Sequence, residues 1–177
     1  MSDLMAAEDR GWEELHSLTE SLTPEQAERP GYYPEGWSVK DVLAHVGSWL
    51  AEAGVILQRI RAGTFRPEEI DVDAMNHQFL ESMRDVPLRT VRAQAAAARN
   101  RMLQEWSALP ELTPEARFWI KKSGAEHYQE HLPRLREWVR ELRSNRDGVG
   151  PPTGLRTDTG DPERRKPTTG RPTREQD

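Results

Sequence analysis

Three of the five histidines of the chain lie where helical patterns place apolar side chains. In GWSVKDVLAHVGSW, residues 36–49, helical spacing puts His45 in one stripe with Trp49. In HYQEH, His127 and His131 stand four residues apart, in register with the apolar stripe of a later helix. An imidazole that points into an apolar core needs a partner, and a transition-metal ion is a partner that several imidazoles can share.

The spacing of these histidines suits metal binding. Side chains four residues apart on a helix have Cβ atoms about 5–6 Å apart, so His127 and His131 can bind one ion. His45 can supply a third ligand from a facing helix. Three protein ligands with an open position are typical of catalytic zinc-type sites, and neutral imidazole binds Zn, Ni, Cu or Fe(II). A bound ion lowers the pKa of a coordinated water or thiol, which produces a nucleophile at neutral pH.

A structural interpretation competes with this one for each histidine. A single inward histidine is more commonly a hydrogen-bonded core residue, and a His-x-x-x-His pair on a polar face is usually inert. Three histidines on the core stripes of two helices favour a shared metal site. Glu13 and His16 form only one Glu-x-x-His motif, whereas a di-iron bundle needs two, so that alternative is excluded.

Four further residues are candidates for a substrate pocket, although plain packing is the alternative for each. Trp49 lies one turn beyond His45 and is expected in the pocket wall. Tyr128 follows His127 and could bring its hydroxyl near the metal. Trp119 could form a lid, and His77 could reach the pocket as a proton shuttle. Beyond a metal-bound nucleophile, no residue is predicted to be catalytic.

The elements that must position these residues are all helical. Ser38 with Asp41 has the pattern of a capping box, and Gly63 is a typical helix stop. No alternating run predicts a strand. We therefore predict an all-α four-helix bundle with short crossover helices. Its long helices are expected at about 4–22, 38–62, 87–109 and 123–144, with shorter helical segments near 71–84 and 113–115.

Composition divides the chain into a predicted domain, residues 1–144, and a tail, residues 145–177. The tail is rich in Pro, Gly, Thr and Arg and has only two sizeable aliphatic residues, Val149 and Leu155. Such a segment buries too little apolar surface to offset its ordering entropy, so we predict that it is disordered.

Charge and composition also exclude several classes of partner. The net charge of −5 does not predict the basic surface that binds nucleic acid. No apolar run has the roughly 20 residues that a membrane span requires. The sequence has no cysteine, which excludes disulfides and a cysteine nucleophile. We expect a cytoplasmic protein that binds neither nucleic acid nor membrane and that can form a homodimer.

The chain resembles the DinB-like (DinB/YfiT-like) superfamily of four-helix-bundle metalloproteins over most of residues 5–143. Two motifs carry the resemblance, GWSVKDVLAHVGSW and, far downstream, HYQEHLPRLREW. The resemblance implies a divalent metal, zinc or nickel in many members. It also implies one ligand from the second long helix and two from the fourth, which here are His45, His127 and His131. The wording of the motifs is closer to a ClbS-like self-protection branch than to the maleylpyruvate isomerases, which often have Glu as the first ligand of the fourth helix.

The resemblance supplies the expected reaction class. Some relatives are S-transferases or isomerases that use mycothiol, bacillithiol or glutathione, and others act on reactive small molecules in damage response. The predicted function is a metal-dependent enzyme that activates water or a low-molecular-weight thiol to attack a small electrophilic substrate, as a thiol transferase or detoxifying hydrolase. The alternative is a non-catalytic bundle that sequesters a compound, with a structural metal or none.

Overall fold

The computed structural model describes the backbone of residues 2–147. This part of the chain is helical and contains no strand. The predicted disordered tail lies outside the described residues from 148 onward, while residues 145–147 still belong to the last helix. No helix within 2–147 combines the length and apolar character needed to cross a bilayer. The elements in chain order are α1 (Ser2–Glu20), α2 (Pro24–Ala27), α3 (Val39–Arg61), α4 (Val72–Met83), α5 (Leu88–Ser107), α6 (Pro114–Ile120), a π-helical turn (Lys121–Ala125) and α7 (Glu126–Asp147).

The four long helices α1, α3, α5 and α7 form the predicted bundle. Helix α3 packs along α5, and α1 packs against α7 and the π-helical turn. The contact between α3 and α5 is close at Gly47, where a Cβ atom would stand 3.0 Å from the Cα of Ala95. The alanine-rich centre of α5 permits this approach because small side chains let helix axes come together.

The start and end of α3 agree with the signals in the sequence. The Asp41 amide donates to the Ser38 hydroxyl at 3.2 Å, and the Ser38 amide donates to the Asp41 carboxylate at 2.8 Å. This capping box satisfies orphan backbone donors of the first turn. The helix ends at its C-cap, Ala62, and Gly63 follows with a φ of +70°. Fixed at both ends, α3 presents its histidine to the bundle interior.

The segment before α7 differs from the expected connector. Instead of a single turn of helix, α6 runs for 7 residues and continues through the π-helical turn into α7. Gly124 lies inside that turn with non-helical φ and ψ of −113° and −107°. The polar run before it interrupts the apolar periodicity that predicts a helix, so the sequence pattern predicts a connector here.

Candidate metal centre

Three buried histidine side chains meet between α3 and α7. His45, His127 and His131 are only 8%, 6% and 9% exposed. Their rings are close, with centroids 4.7 Å apart for His45 and His127, 4.9 Å for the α7 pair and 5.4 Å for His45 and His131. One potential ligand atom from each ring lies within 4.8 Å of the others. The structure therefore brings together the three residues that the sequence predicts as metal ligands.

Three of the six ring nitrogens of this cluster lack a hydrogen-bond partner within the described part of the chain. The two Nε2 atoms of His45 and His127 face each other at 2.8 Å. Nδ1 of both rings, and Nε2 of His131, are buried without a hydrogen-bond partner among the described residues. A buried polar atom without a partner costs about 1–3 kcal/mol, so three in one cluster indicate a missing ligand. An all-nitrogen donor set without a carboxylate fits a borderline divalent ion such as zinc or nickel.

Burial keeps these imidazoles neutral. Desolvation lowers the pKa of His131 to about 4, and desolvation together with the charge of His131 lowers the pKa of His45 to about 4. The pKa of His127 falls further, through desolvation and then through the other two rings. The nearby Ser123 carbonyl opposes this shift, although Nδ1 of His127 has no hydrogen bond of ordinary geometry. Metal binding requires neutral imidazole, and these rings are neutral at physiological pH.

The loop between α2 and α3 covers one side of the cluster. Its Tyr33 hydroxyl lies 3.1 Å from Nδ1 of His131, and the Trp37 ring lies edge-on to His45 with centroids 5.5 Å apart. Tyr32 anchors the loop, because its hydroxyl donates to the His131 carbonyl at 3.3 Å and its own carbonyl accepts from Arg134 at 2.9 Å. The loop thus leaves Nε2 of His131 as the free nitrogen of that ring.

A cavity of about 1050 Å³ opens on the other side and reaches His45 and His127. Its inner wall includes Trp49 and Trp119, which with Ile56 form an apolar cluster separate from the main core. A cavity of this size, with an apolar inner wall and polar side chains elsewhere in its lining, has the form of a small-molecule site. The cluster is therefore accessible from a cavity on one side and covered by the loop on the other.

Comparison with known proteins shows the family of this chain. Residues 9–142 match the family described as "Mycothiol maleylpyruvate isomerase N-terminal domain". The chain belongs to this family. The family has the DinB/YfiT-like helical fold, which confirms the superfamily that the sequence resembles. Assignment to the self-protection branch stays a prediction.

The fold of this member of the maleylpyruvate isomerase N-terminal domain family recurs in a solved structure. That crystal structure is of an uncharacterised protein from Escherichia coli UTI89, with a TM-score of 0.68 and 15% sequence identity. The match covers 80% of this chain and 94% of the other. At this identity the likeness shows the fold alone. No curated protein matches the chain.

Two of the four pocket candidates of this family member lie at the cavity. Trp49 and Trp119 line it, and the indole of Trp49 is fixed by a 2.8 Å hydrogen bond from Nε1 to the side-chain oxygen of Asn76. Two expectations are corrected. The Tyr128 hydroxyl points away from the histidines, and His77 is exposed on α4 and does not line the cavity.

The correction for Tyr128 has a specific cause. Its hydroxyl donates at 2.9 Å to Glu8, a fully buried carboxylate that also accepts two-pronged hydrogen bonds from Arg99. Residues 127 and 128 project about 100° apart on a helix, so a ring next to an inward histidine faces a neighbouring helix instead. Burial followed by the Glu8 charge raises the pKa of Tyr128, which keeps its hydroxyl a donor.

Sequence reasoning missed three residues around this site. Tyr33 and Trp37 lie in or beside a Pro/Gly-rich loop whose path only tertiary structure fixes, and their aromatic character was the available signal. Glu8 had a clearer signal, since an acid four residues from Leu4 and from Trp12 falls on the apolar stripe of α1.

Proposed function

We propose that the protein is a metal-dependent enzyme for small electrophilic molecules. His45, His127 and His131 hold one divalent ion, and the adjoining cavity holds the substrate. The observation that supports this proposal is that three buried histidines each have one unpartnered ring nitrogen, and two of the three line a cavity of about 1050 Å³. A purely structural ion has no need of such access, since closed sites take four protein ligands.

The residues present supply binding and positioning. The bound ion would supply Lewis acidity that lowers the pKa of a water or thiol. Trp49, held by Asn76, and Trp119 give the substrate an apolar wall and exclude water from the histidine end. The loop with Tyr33 orients His131 from outside.

A low-molecular-weight thiol is the nucleophile that we favour. The family's name refers to mycothiol, and the absence of cysteine in this chain means that the protein has no thiol of its own. In S-transfer the sulfur forms a bond to the electrophilic carbon, the leaving group departs with its bonding pair, and the thiol proton passes to solvent. Such a reaction removes reactive electrophiles, and it belongs in the cytoplasm, where thiols are kept reduced.

Metal content and S-transfer in matched histidine variants test the proposal. We expect wild-type protein to bind one divalent ion per chain. His131→Ala is expected to weaken metal binding by more than about 100-fold and to abolish S-transfer to 1-chloro-2,4-dinitrobenzene from mycothiol, bacillithiol or glutathione, while the helical circular dichroism persists. His77→Ala, which removes an exposed histidine that does not line the cavity, is the control and should behave as wild type.

Two results would contradict the proposal. Wild-type protein without stoichiometric divalent metal would remove the site itself. A His131→Ala protein that loses metal and also unfolds would show a structural ion and favour the non-catalytic alternative.

A further inference from the structure

One wall of the cavity is a single stripe of α3. His45, Trp49, Glu52, Ile56 and Arg59 follow one another at helical spacing and all line the cavity. At about 1.5 Å rise per residue, Glu52 stands about 10 Å from His45 along the helix axis. Along this stripe, the indole of Trp49 therefore lies between the histidine end of the cavity and the carboxylate of Glu52.

Glu52 is a carboxylate without a cation. It is half-buried, and within residues 2–147 it makes no hydrogen bond or ion pair. A partly desolvated carboxylate in an apolar wall gains from an opposite charge at hydrogen-bond distance, and none of the described side chains pairs with Glu52. This unpartnered group is the first indication that the ligand brings a positive charge.

Acidic side chains outnumber basic ones in the rest of the cavity lining. The lining also has three cationic side chains, Arg59, Arg66 and Lys122, and Lys122 is already paired with Glu126, so the balance of the lining charges is negative. An anionic substrate would approach against this field, whereas a cation would be attracted. The lining contains six carboxylates against three cationic side chains, the acids being Glu52, Glu68, Glu69, Asp71, Glu115 and Glu130.

The aromatic walls favour the same ligand. Trp49 and Trp119 line the interior, and Phe118, which is 54% exposed, lies at the mouth. Ring faces attract organic cations and pack against flat apolar groups. An exposed phenyl group beside the cavity is an apolar surface that a ligand body would cover.

We propose that the cavity takes an organic cation, a molecule with an apolar, ring-bearing body and an ammonium or guanidinium group that binds Glu52. The body lies against Trp49 and Trp119, and the opposite end of the molecule reaches the histidine cluster about 10 Å away. One part of this proposal rests on the proposed function, namely that the end of the ligand beside the histidines is the end that reacts. Glu52 is thus a specificity-determining residue.

Three probes with one apolar body and different charge test this proposal by titration calorimetry: 4-phenylbutylamine, 4-phenylbutanol and 4-phenylbutyrate. In the wild type we expect affinity to fall in that order. Glu52→Gln keeps the shape and removes the charge, and it should weaken amine binding roughly tenfold, the effect of one charge-assisted hydrogen bond, with little change for the alcohol. Glu52→Lys should make the carboxylate the preferred probe.

Glu111→Gln is the matched control, because Glu111 is exposed and does not line the cavity. It should bind all three probes as the wild type does. Each titration is repeated with a chelator, so that an amine bound to a metal is distinguished from an amine bound to Glu52. Equal affinities for the three probes, preference for the carboxylate, amine binding unchanged in Glu52→Gln, or no binding at all would each overturn the proposal.

The two proposals fail separately. Loss of S-transfer or of metal leaves the order of probe affinities in the chelator arm untouched. If the three probes do not bind in the expected order of affinity, the metal content and the effect of His131→Ala are unaffected.

Discussion

At the scale of single residues, Tyr33 is the contact that fixes the third histidine of the cluster. Burial is the main cause that raises the pKa of its hydroxyl, so the group stays protonated at neutral pH. It lies 3.1 Å from Nδ1 of His131, whose Nε2 is the unpartnered nitrogen. An imidazole that ligates through Nε2 carries its proton on Nδ1 and donates it to an outer oxygen. Tyr33 is therefore a positioning residue.

We expect Tyr33→Phe to weaken divalent metal binding by about 10–100-fold, as for loss of an outer partner of a ligand, while the fold is retained. Competition with a chromophoric chelator measures the affinity, and circular dichroism checks the fold. Ser82→Ala is the control, since it also removes one hydroxyl, from the exposed face of α4. Metal affinity equal to that of the wild type in Tyr33→Phe would show that the loop only covers the cluster.

The histidines could be predicted from sequence, whereas Tyr33 could not. His127 and His131 stand at a fixed helical spacing, and His45 falls on an apolar stripe, so their direction follows from periodicity alone. Tyr33 approaches His131 across 98 residues of sequence through a loop with no periodicity. Tyr128 shows that adjacency in sequence does not predict contact on a helix, because the residue next to a metal ligand points in a different direction.

At the scale of the elements, small residues set how closely the helices pack. A Cβ at Gly47 would stand 3.0 Å from the Ala95 backbone, but a Cβ at Gly54, two turns along the same helix, would have 3.5 Å to its nearest neighbour. A side chain at the first position forces α3 and α5 apart. Since α3 carries His45, this contact also sets the distance of that ring from α7.

The two glycines give a matched pair of variants. Gly54→Ala is expected to raise the free energy of unfolding by up to about 1 kcal/mol, because alanine is the better helix former. Gly47→Ala gains the same propensity but overpacks the helix contact, and its free energy of unfolding should lie about 1–3 kcal/mol below that of Gly54→Ala. Urea denaturation of both proteins measures the difference. Equal stabilities would mean that the contact between α3 and α5 is looser than described.

Helix boundaries were predictable where a local signal fixes them. The capping box at Ser38 and the stop at Gly63 act within one turn, and both are present in the structure. The path from α6 into α7 depends on tertiary contacts, because Gly124 takes its conformation beside Glu8, where a Cβ would stand 3.3 Å from the Glu8 side chain. Propensity does not report such a contact, which joins elements far apart in sequence.

At the scale of the whole molecule, the apolar core that stabilises the bundle is separate from the cavity wall that a ligand would contact. The main core runs between the four long helices, while the cavity wall of Trp49, Ile56 and Trp119 forms its own cluster. The histidines lie between these two regions. Substitutions in the cavity wall can therefore change the ligand that fits without removing apolar contacts from the main core.

The same division predicts the effect of removing residues 148–177. Because the removed segment contains only Val149 and Leu155 as sizeable aliphatics, it offers the bundle little apolar surface. The chain 1–147 retains every element of the bundle and all three histidines. We expect it to unfold within a few degrees of the full chain, with the same metal content and the same order of probe affinities. Thermal unfolding, elemental analysis and calorimetry on the two chains measure this, and a truncated chain that loses metal or probe binding would assign the removed residues to the site.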